Sequence, residues 1–167
     1  MFRRIALTVV AVSLFATAAF AQTSATATAN ASARVLTPIT ITKLADLNFG
    51  SLVAGPLAGT VVVDPASART ATGGVSLVNS AFGAAQFNVT GEPLTAYTIT
   101  LPNAIQITHT TNNALSMVVN TFTSDPSGTG TLSALGAQQL NVGATLNVGA
   151  NQGSGLYTGT FNVTVAY

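Results

Sequence analysis

From Tyr157 to Tyr167 the sequence alternates without a break. Tyr157, Gly159, Phe161, Val163, Val165 and Tyr167 share one parity, and Thr158, Thr160, Asn162, Thr164 and Ala166 share the other. Period two is the side-chain period of a β-strand, in which successive residues point to opposite faces. A helix would scatter these residues around its axis. The segment therefore demands a sheet with one apolar face, and partners to cover that face. Leu156 to Tyr167 is the predicted last strand.

The rest of the chain speaks the same language. Ala occurs 28 times, Thr 26 times and Gly 15 times, while Lys and Glu, common on helix surfaces, total two. Thr, Val and Ile favour strands, and Gly, Asn and Ser supply turns. Strand-like runs follow one another: Ile39 with Ile41, Thr60 to Asp64, Gly74 to Asn79, Ala85 to Val89, Tyr97 to Leu101, Ile105 to Thr108 and Leu115 to Phe122. Turn-like stretches separate them at Ala66 to Gly73, Gly91 to Pro93 and Ser124 to Gly130. Gln139 to Val142 and Ala144 to Val148 share the tetrapeptide Leu-Asn-Val-Gly and are expected to pair as a hairpin. No stretch has a helical period. Short strands at this spacing predict an all-β, Ig-like antiparallel β-sandwich.

Charge is scarce, and its scarcity excludes function classes. The chain has five basic and four acidic residues, one histidine and no cysteine. No cluster of Lys and Arg is available to displace counterions from nucleic acid. A disulfide framework or zinc–thiolate site is impossible without cysteine. Acid–base catalysis needs converging titratable groups, and Asp64, Glu92 and Asp125 each stand beside a proline, as turn residues do. His109 stands alone in a Thr-rich strand end and reads as a surface residue. Gly153-Ser154-Gly155 lacks the strand–turn–helix context of a nucleophile elbow. Asn88-Val89-Thr90 and Asn162-Val163-Thr164 match the glycosylation sequon, as Thr-rich strands do by chance. The expectation is no enzyme, no cofactor, no metal and no small-molecule substrate.

The N-terminal end divides in two. Arg3 and Arg4, the apolar run Ile5 to Phe20 and the Ala19-Phe20-Ala21 signal read as a secretory signal peptide over residues 1–21. Residues 22–37 form an extension in which Ala25, Ala27, Ala29, Ala31 and Ala33 alternate with Thr26, Thr28, Asn30 and Ser32, and the apolar set becomes bulkier at Val35. Such a peptide buries too little on its own to offset backbone entropy. It is either a free tail or a strand waiting for a sheet. The sandwich domain is expected over residues 38–167.

The last strand, reading Gly155-x-Tyr157-x-x-x-Phe161-x-Val163-x-Val165-x-Tyr167, resembles the C-terminal strand of chaperone–usher pilins. The wider chain resembles small bacterial secreted proteins of undefined function related to those pilins. It shares with them the Leu47-x-Phe49-Gly50 opening, the Phe87-x-Val89-x-Gly91 middle, the Leu-x-Val-Gly pair and the close at Tyr167; spore-coat-type secreted pilin relatives share the same opening. The chain departs from pilins in having no disulfide, in offering mostly methyls along its extension, and in placing the tyrosine last rather than next to last.

The resemblance implies a function. The chain would be a structural subunit of a cell-surface fimbria, exported through the inner membrane. It would polymerise with identical or related subunits by donating its extension into a neighbour's groove. A periplasmic chaperone and an outer-membrane usher would assist. The donor residues would be Ala29, Ala31, Ala33, Val35, Ile39 and Ile41. The groove and C-terminal strand would involve Gly155, Phe161, Val163, Val165 and Tyr167. A second reading is a soluble secreted adhesin or coat protein, a sandwich complete as a monomer. A membrane barrel ranks last, because the predicted strands are shorter than a bilayer needs.

Overall fold

A computed structural model describes residues 24–167. The signal-peptide reading of residues 1–21, and the start of the extension at Gln22 and Thr23, lie outside the described residues. Val35–Tyr167 forms one compact unit. Residues 24–39 take no strand or helix, and residues 24–38 are exposed throughout.

The unit is all-β. Its strands are β1 (Thr40–Ala45), β2 (Leu52–Val63), β3 (Arg69–Leu77), β4 (Ala85–Thr90), β5 (Ala96–Thr100), β6 (Ala104–His109), β7 (Ser116–Asp125), β8 (Thr129–Thr131), β9 (Ala137–Val148), β10 (Tyr157–Thr158) and β11 (Thr164–Ala166). One eight-stranded sheet runs β1-β4-β9-β7-β6-β10, with the β2–β3 pair also joined to β9. A three-stranded sheet runs β11-β5-β8. Every ladder is antiparallel. The smaller sheet covers only part of the larger one, so the sandwich is partly closed.

β9 is the spine. Leu140, Val142, Ala144, Leu146 and Val148 are all buried, which is the period-two pattern of a strand with one face in the core. The expected hairpin at Gly143 is therefore absent, and the two Leu-Asn-Val-Gly copies lie along one continuous strand. The physical reason is that β9 finds partners on either side of this point. Ala137–Val142 pairs with β4, and Ala144–Val148 pairs with the end of β2. At Gly143 the carbonyl of Val63 and the backbone of Asp64 approach so closely that a Cβ would collide with them.

Two clusters fill the interior. The upper one joins Val89, Tyr97, Leu132, Leu140 and Val142 beneath the small sheet. The lower one joins Val61, Met117, Val119, Ala144, Leu146 and Val148. Upper and lower here are the Ala137 and Val148 ends of β9.

Three further expectations are corrected. The stretch Ala66 to Gly73 is not all turn. The turn is confined to Asp64–Ala68, where Asp64 accepts from Ser67 N at 2.9 Å and, through Oδ1, from Ala68 N at 2.7 Å. From Arg69 the chain is strand. The guanidinium of Arg69 donates to the carbonyls of Phe49 (3.0 Å) and Val78 (2.8 Å) and lies 4.3 Å from the Phe82 ring centroid, so its charge ties neighbouring segments together. The stretch Ser124 to Gly130 contains the end of β7 and the start of β8. Finally, Leu156 to Tyr167 is not one strand. β10 pairs with β6 in the large sheet, β11 pairs with β5 in the small one, and residues 159–163 cross between them without a ladder. The alternation still sets the faces: Phe161, Val163 and Val165 are half-buried, and the residues between them are exposed.

Candidate functional site: an apolar groove between two sheet edges

The lower cluster is incompletely roofed. A groove of about 910 Å³ lies over it. Its floor includes Ile105, Ile107, Met117, Val119 and Leu146, all inward-facing residues of β6, β7 and β9. One wall is the segment 43–54, with Leu47, Phe49 and Leu52 turned inward; the other is the segment 152–161, with Tyr157 and Phe161. Six of the wall and floor residues, Leu47, Phe49, Leu52, Ile105, Ile107 and Tyr157, are only half-buried although they pack on the lower cluster. Continuous apolar surface left open in this way marks a site for a partner.

The walls end in free strand edges. β1 pairs only with β4, and β10 and β11 have one partner each. Unpaired edges present N–H and C=O groups that can extend a sheet. The groove thus has open strand edges near its rims and apolar side chains on its floor.

At the upper end the walls are tied. Tyr167 Oη donates to the carbonyl of Thr37 at 2.9 Å and accepts from Glu92 N at 2.6 Å. Gly91 makes room, since a Cβ there would strike the Tyr167 hydroxyl. Phe161 packs on Phe122 with ring centroids 5.1 Å apart.

At the lower end His109 holds the second wall. It is buried, not the surface residue expected. Its Nδ1 accepts from Thr111 N and Asn112 N, both at 3.1 Å, which leaves the proton on Nε2 to donate to the Ser154 carbonyl at 3.0 Å. Its ring stands edge-on to Tyr157 at 5.1 Å. Gly155, at φ +147°, lies against the imidazole, where any Cβ would overlap it. Tyr157 Oη donates to Gly153 O at 2.7 Å, which closes the 153–157 loop on itself. The single histidine is thus a structural pin for the groove wall.

The predicted site residues fall in three places. Ala29, Ala31 and Ala33 are exposed and outside any element, and so is Val35. Ile39 and Ile41 are half-buried on the upper cluster of their own domain, and Ile41 is paired with Val89. Gly155 and Phe161 line the groove, whereas Val163 and Val165 cover the upper cluster and Tyr167 makes the tie to Thr37. Sequence reasoning missed most of the floor. Ile105, Ile107, Met117 and Val119 carried a strand signal but nothing to separate a roofed face from an open one. The Leu47-x-Phe49 opening, which resembles a family pattern and whose two apolar residues share one face, supplies a wall.

No chemistry of bond-making is assembled here. Among the described residues no group of three or more His, Asp or Glu could hold a metal ion. The Lys43–Asp46 ion pair, at 2.6 Å, is exposed and lies within a single turn of chain. Burial pushes the Tyr97 phenol above its ordinary range, and its hydroxyl donates to Gln138 Oε1 at 2.9 Å in the upper core, away from the groove. Among the described residues the groove gathers apolar side chains rather than a reactive constellation.

Residues 39–167 match the model of a family described as a domain of unknown function, DUF4402. The chain belongs to that family. No curated protein and no solved structure matches it significantly. Its fold is a self-contained antiparallel β-sandwich domain.

Proposed function

We propose that this protein is a pilin-like subunit of a cell-surface fimbria, and that neighbouring subunits are joined by β-strand addition. The observation that carries this reading is the groove: an apolar floor lying between the free edges of β1 and of the 157–166 segment. The occupant is the N-terminal extension of another copy. Residues 24–34 alternate small apolar and polar side chains, and they form no element in their own chain. Eleven extended residues reach about 36 Å at roughly 3.3 Å per residue, long enough to cross a sandwich. Ile39 and Ile41 already serve their own sheet, so the donated part lies upstream of them. Alanine methyls bury little area, so main-chain hydrogen bonds carry most of the added stability, and alternation fixes the register.

Export, a periplasmic chaperone and an outer-membrane usher fit the same reading, since an open groove and free edges need cover before assembly. Electron microscopy of material sheared from cells making the full precursor, with and without residues Gln22 to Thr37, tests it. Filaments that vanish with the deletion support strand donation. A folded, monodisperse monomer from both forms would point instead to a self-complete secreted binding module.

A further inference from the structure

Strand donation, on which this inference rests, does not say which faces of two subunits meet. The surface of the Val35–Tyr167 unit carries that information. At the upper pole, the 91–95 loop and the 133–136 turn are bound together: Leu94 N donates to Ser133 O at 3.2 Å and Gly91 N to Gly136 O at 2.9 Å. Each holds a leucine in solvent, Leu94 at 72% and Leu135 at 92% exposure. Leu94 does so from a left-handed backbone, φ +57°, which a branched side chain rarely adopts. Val35, 94% exposed, belongs to the same pole, because Thr37 is bonded to both Glu92 and Tyr167. The extension therefore leaves the domain beside these residues.

The lower pole carries a matching set. The 149–156 loop is tied to the bend of β2 by Asn151 N donating to Gly55 O at 2.8 Å. Leu57, 69% exposed, and Leu156, 65% exposed, flank it. Residues 53–58, 110–116 and 149–160, which build this pole, contain no charged side chain. The groove reaches this end, where Gly153 and Leu156 line it, and beyond its upper end lie the Phe161–Phe122 contact and the Tyr167–Thr37 bond. Single exposed leucines are ordinary. Leu44, 60% exposed on β1, lies at neither pole, but the four most exposed leucines of the unit, Leu57, Leu94, Leu135 and Leu156, divide between the exit of the extension and the mouth of the groove, and that division needs an explanation.

We propose that the upper pole of one copy, with Val35, Leu94 and Leu135, seats on the lower pole of the next, with Leu57 and Leu156. The donor's body must lie at the open end of the groove it enters. Its strand then runs from the acceptor's upper end, at its N-terminal residues, to the lower end, where it joins its own domain. β1 descends in the same sense, and the 157–167 segment ascends. The donated strand is therefore parallel to β1 and antiparallel to the C-terminal segment. The contact is heterologous and does not close, which is the geometry of a filament.

The absence of native cysteine makes this testable on the full chain. Leu135→Cys and Leu156→Cys place single thiols on opposite poles at exposed positions. Filaments assembled from a mixture of the two variants and oxidised should give a disulfide-linked dimer on a non-reducing gel. Either variant alone should give less than a tenth as much. Leu57→Cys in place of Leu156→Cys should also link to Leu135→Cys, and it leaves the groove lip unaltered. Leu135→Cys linking to itself, or filaments in which neither pair links, would overturn the polar contact. Loss of filaments on deleting Gln22 to Thr37, with no cross-link in the intact assembly, would overturn the contact alone and leave strand donation standing. Filaments that survive the deletion would overturn strand donation and this contact with it.

Discussion

Tyr167 is bonded to Thr37 across almost the whole described sequence: its hydroxyl donates to the Thr37 carbonyl at 2.9 Å while accepting from Glu92 N. One phenol thus joins the end of the C-terminal strand to the entry of β1 and to the turn after β4. It ties the segment that leads into the first groove wall to the segment that follows the second.

Replacing Tyr167 by Phe removes both bonds and keeps the ring. A hydrogen bond contributes about 0.5–1.5 kcal/mol net, and Tyr167 is partly exposed. Tyr167→Phe should destabilise the domain by about 1 kcal/mol, read by urea unfolding. Gly91→Ala should cost at least as much, because its Cβ meets the same hydroxyl. An unchanged midpoint in both variants would mean that the tie contributes nothing.

His109→Ala should loosen the lower wall. It strips acceptors from Thr111 N and Asn112 N and the donor from Ser154 O. Leaving such groups unpaired costs about 1–3 kcal/mol. Faster amide exchange should appear at Thr111 and Asn112 before the strands of the upper cluster are affected. The tautomer can be read directly: imidazole nitrogen shifts should show the proton on Nε2.

The core and the poles should respond oppositely to the same substitution. Leu140 is fully buried on β9, and Leu135, five residues earlier, stands in solvent. Leu140→Ala should cost about 2–5 kcal/mol. Leu135→Ala should stay within about 0.5 kcal/mol in the monomer and act only on assembly. Thermal unfolding of the two variants side by side checks this.

Alkali should unfold the domain through Tyr97. Burial raises its phenol above the ordinary value of 10.0. The unfolded chain therefore loses its proton at lower pH than the folded one. The stability contributed is complete below about pH 10 and is lost as pH rises through the folded value. Absorbance of ionised tyrosine should show Tyr97 titrating together with unfolding, and Tyr97→Phe should reduce that coupling.

Much of this was legible in the sequence because period two reports faces directly. The alternation of Phe161, Val163 and Val165 assigned the inward side correctly even where no ladder forms. Where pairing partners decide the outcome, the sequence was silent. Gly143 has the local look of a turn, yet β2 and β4 meet end to end along β9 and hold it straight through. The stretch Ala66 to Gly73 reads as turn because it is polar; the carbonyl acceptors that hold its Arg69, those of Phe49 and Val78, are 20 and 9 residues away. His109 looked like surface, and its partner Ser154 is 45 residues off. The groove was invisible as a cavity, since openness depends on which face the small sheet leaves uncovered. Its walls nevertheless contain Gly155, Phe161 and the Leu47-x-Phe49 opening.

Strand addition into the groove predicts one signature above others: the free edges become paired. Hydrogen exchange of assembled material against monomer reads this residue by residue. The outward amides of β1 and those of residues 159–163 should exchange at least tenfold more slowly in the assembly, and amides of residues 24–34 should gain protection with them. Assemblies in which these amides exchange as fast as in the monomer would contradict strand donation, whatever else holds the subunits together.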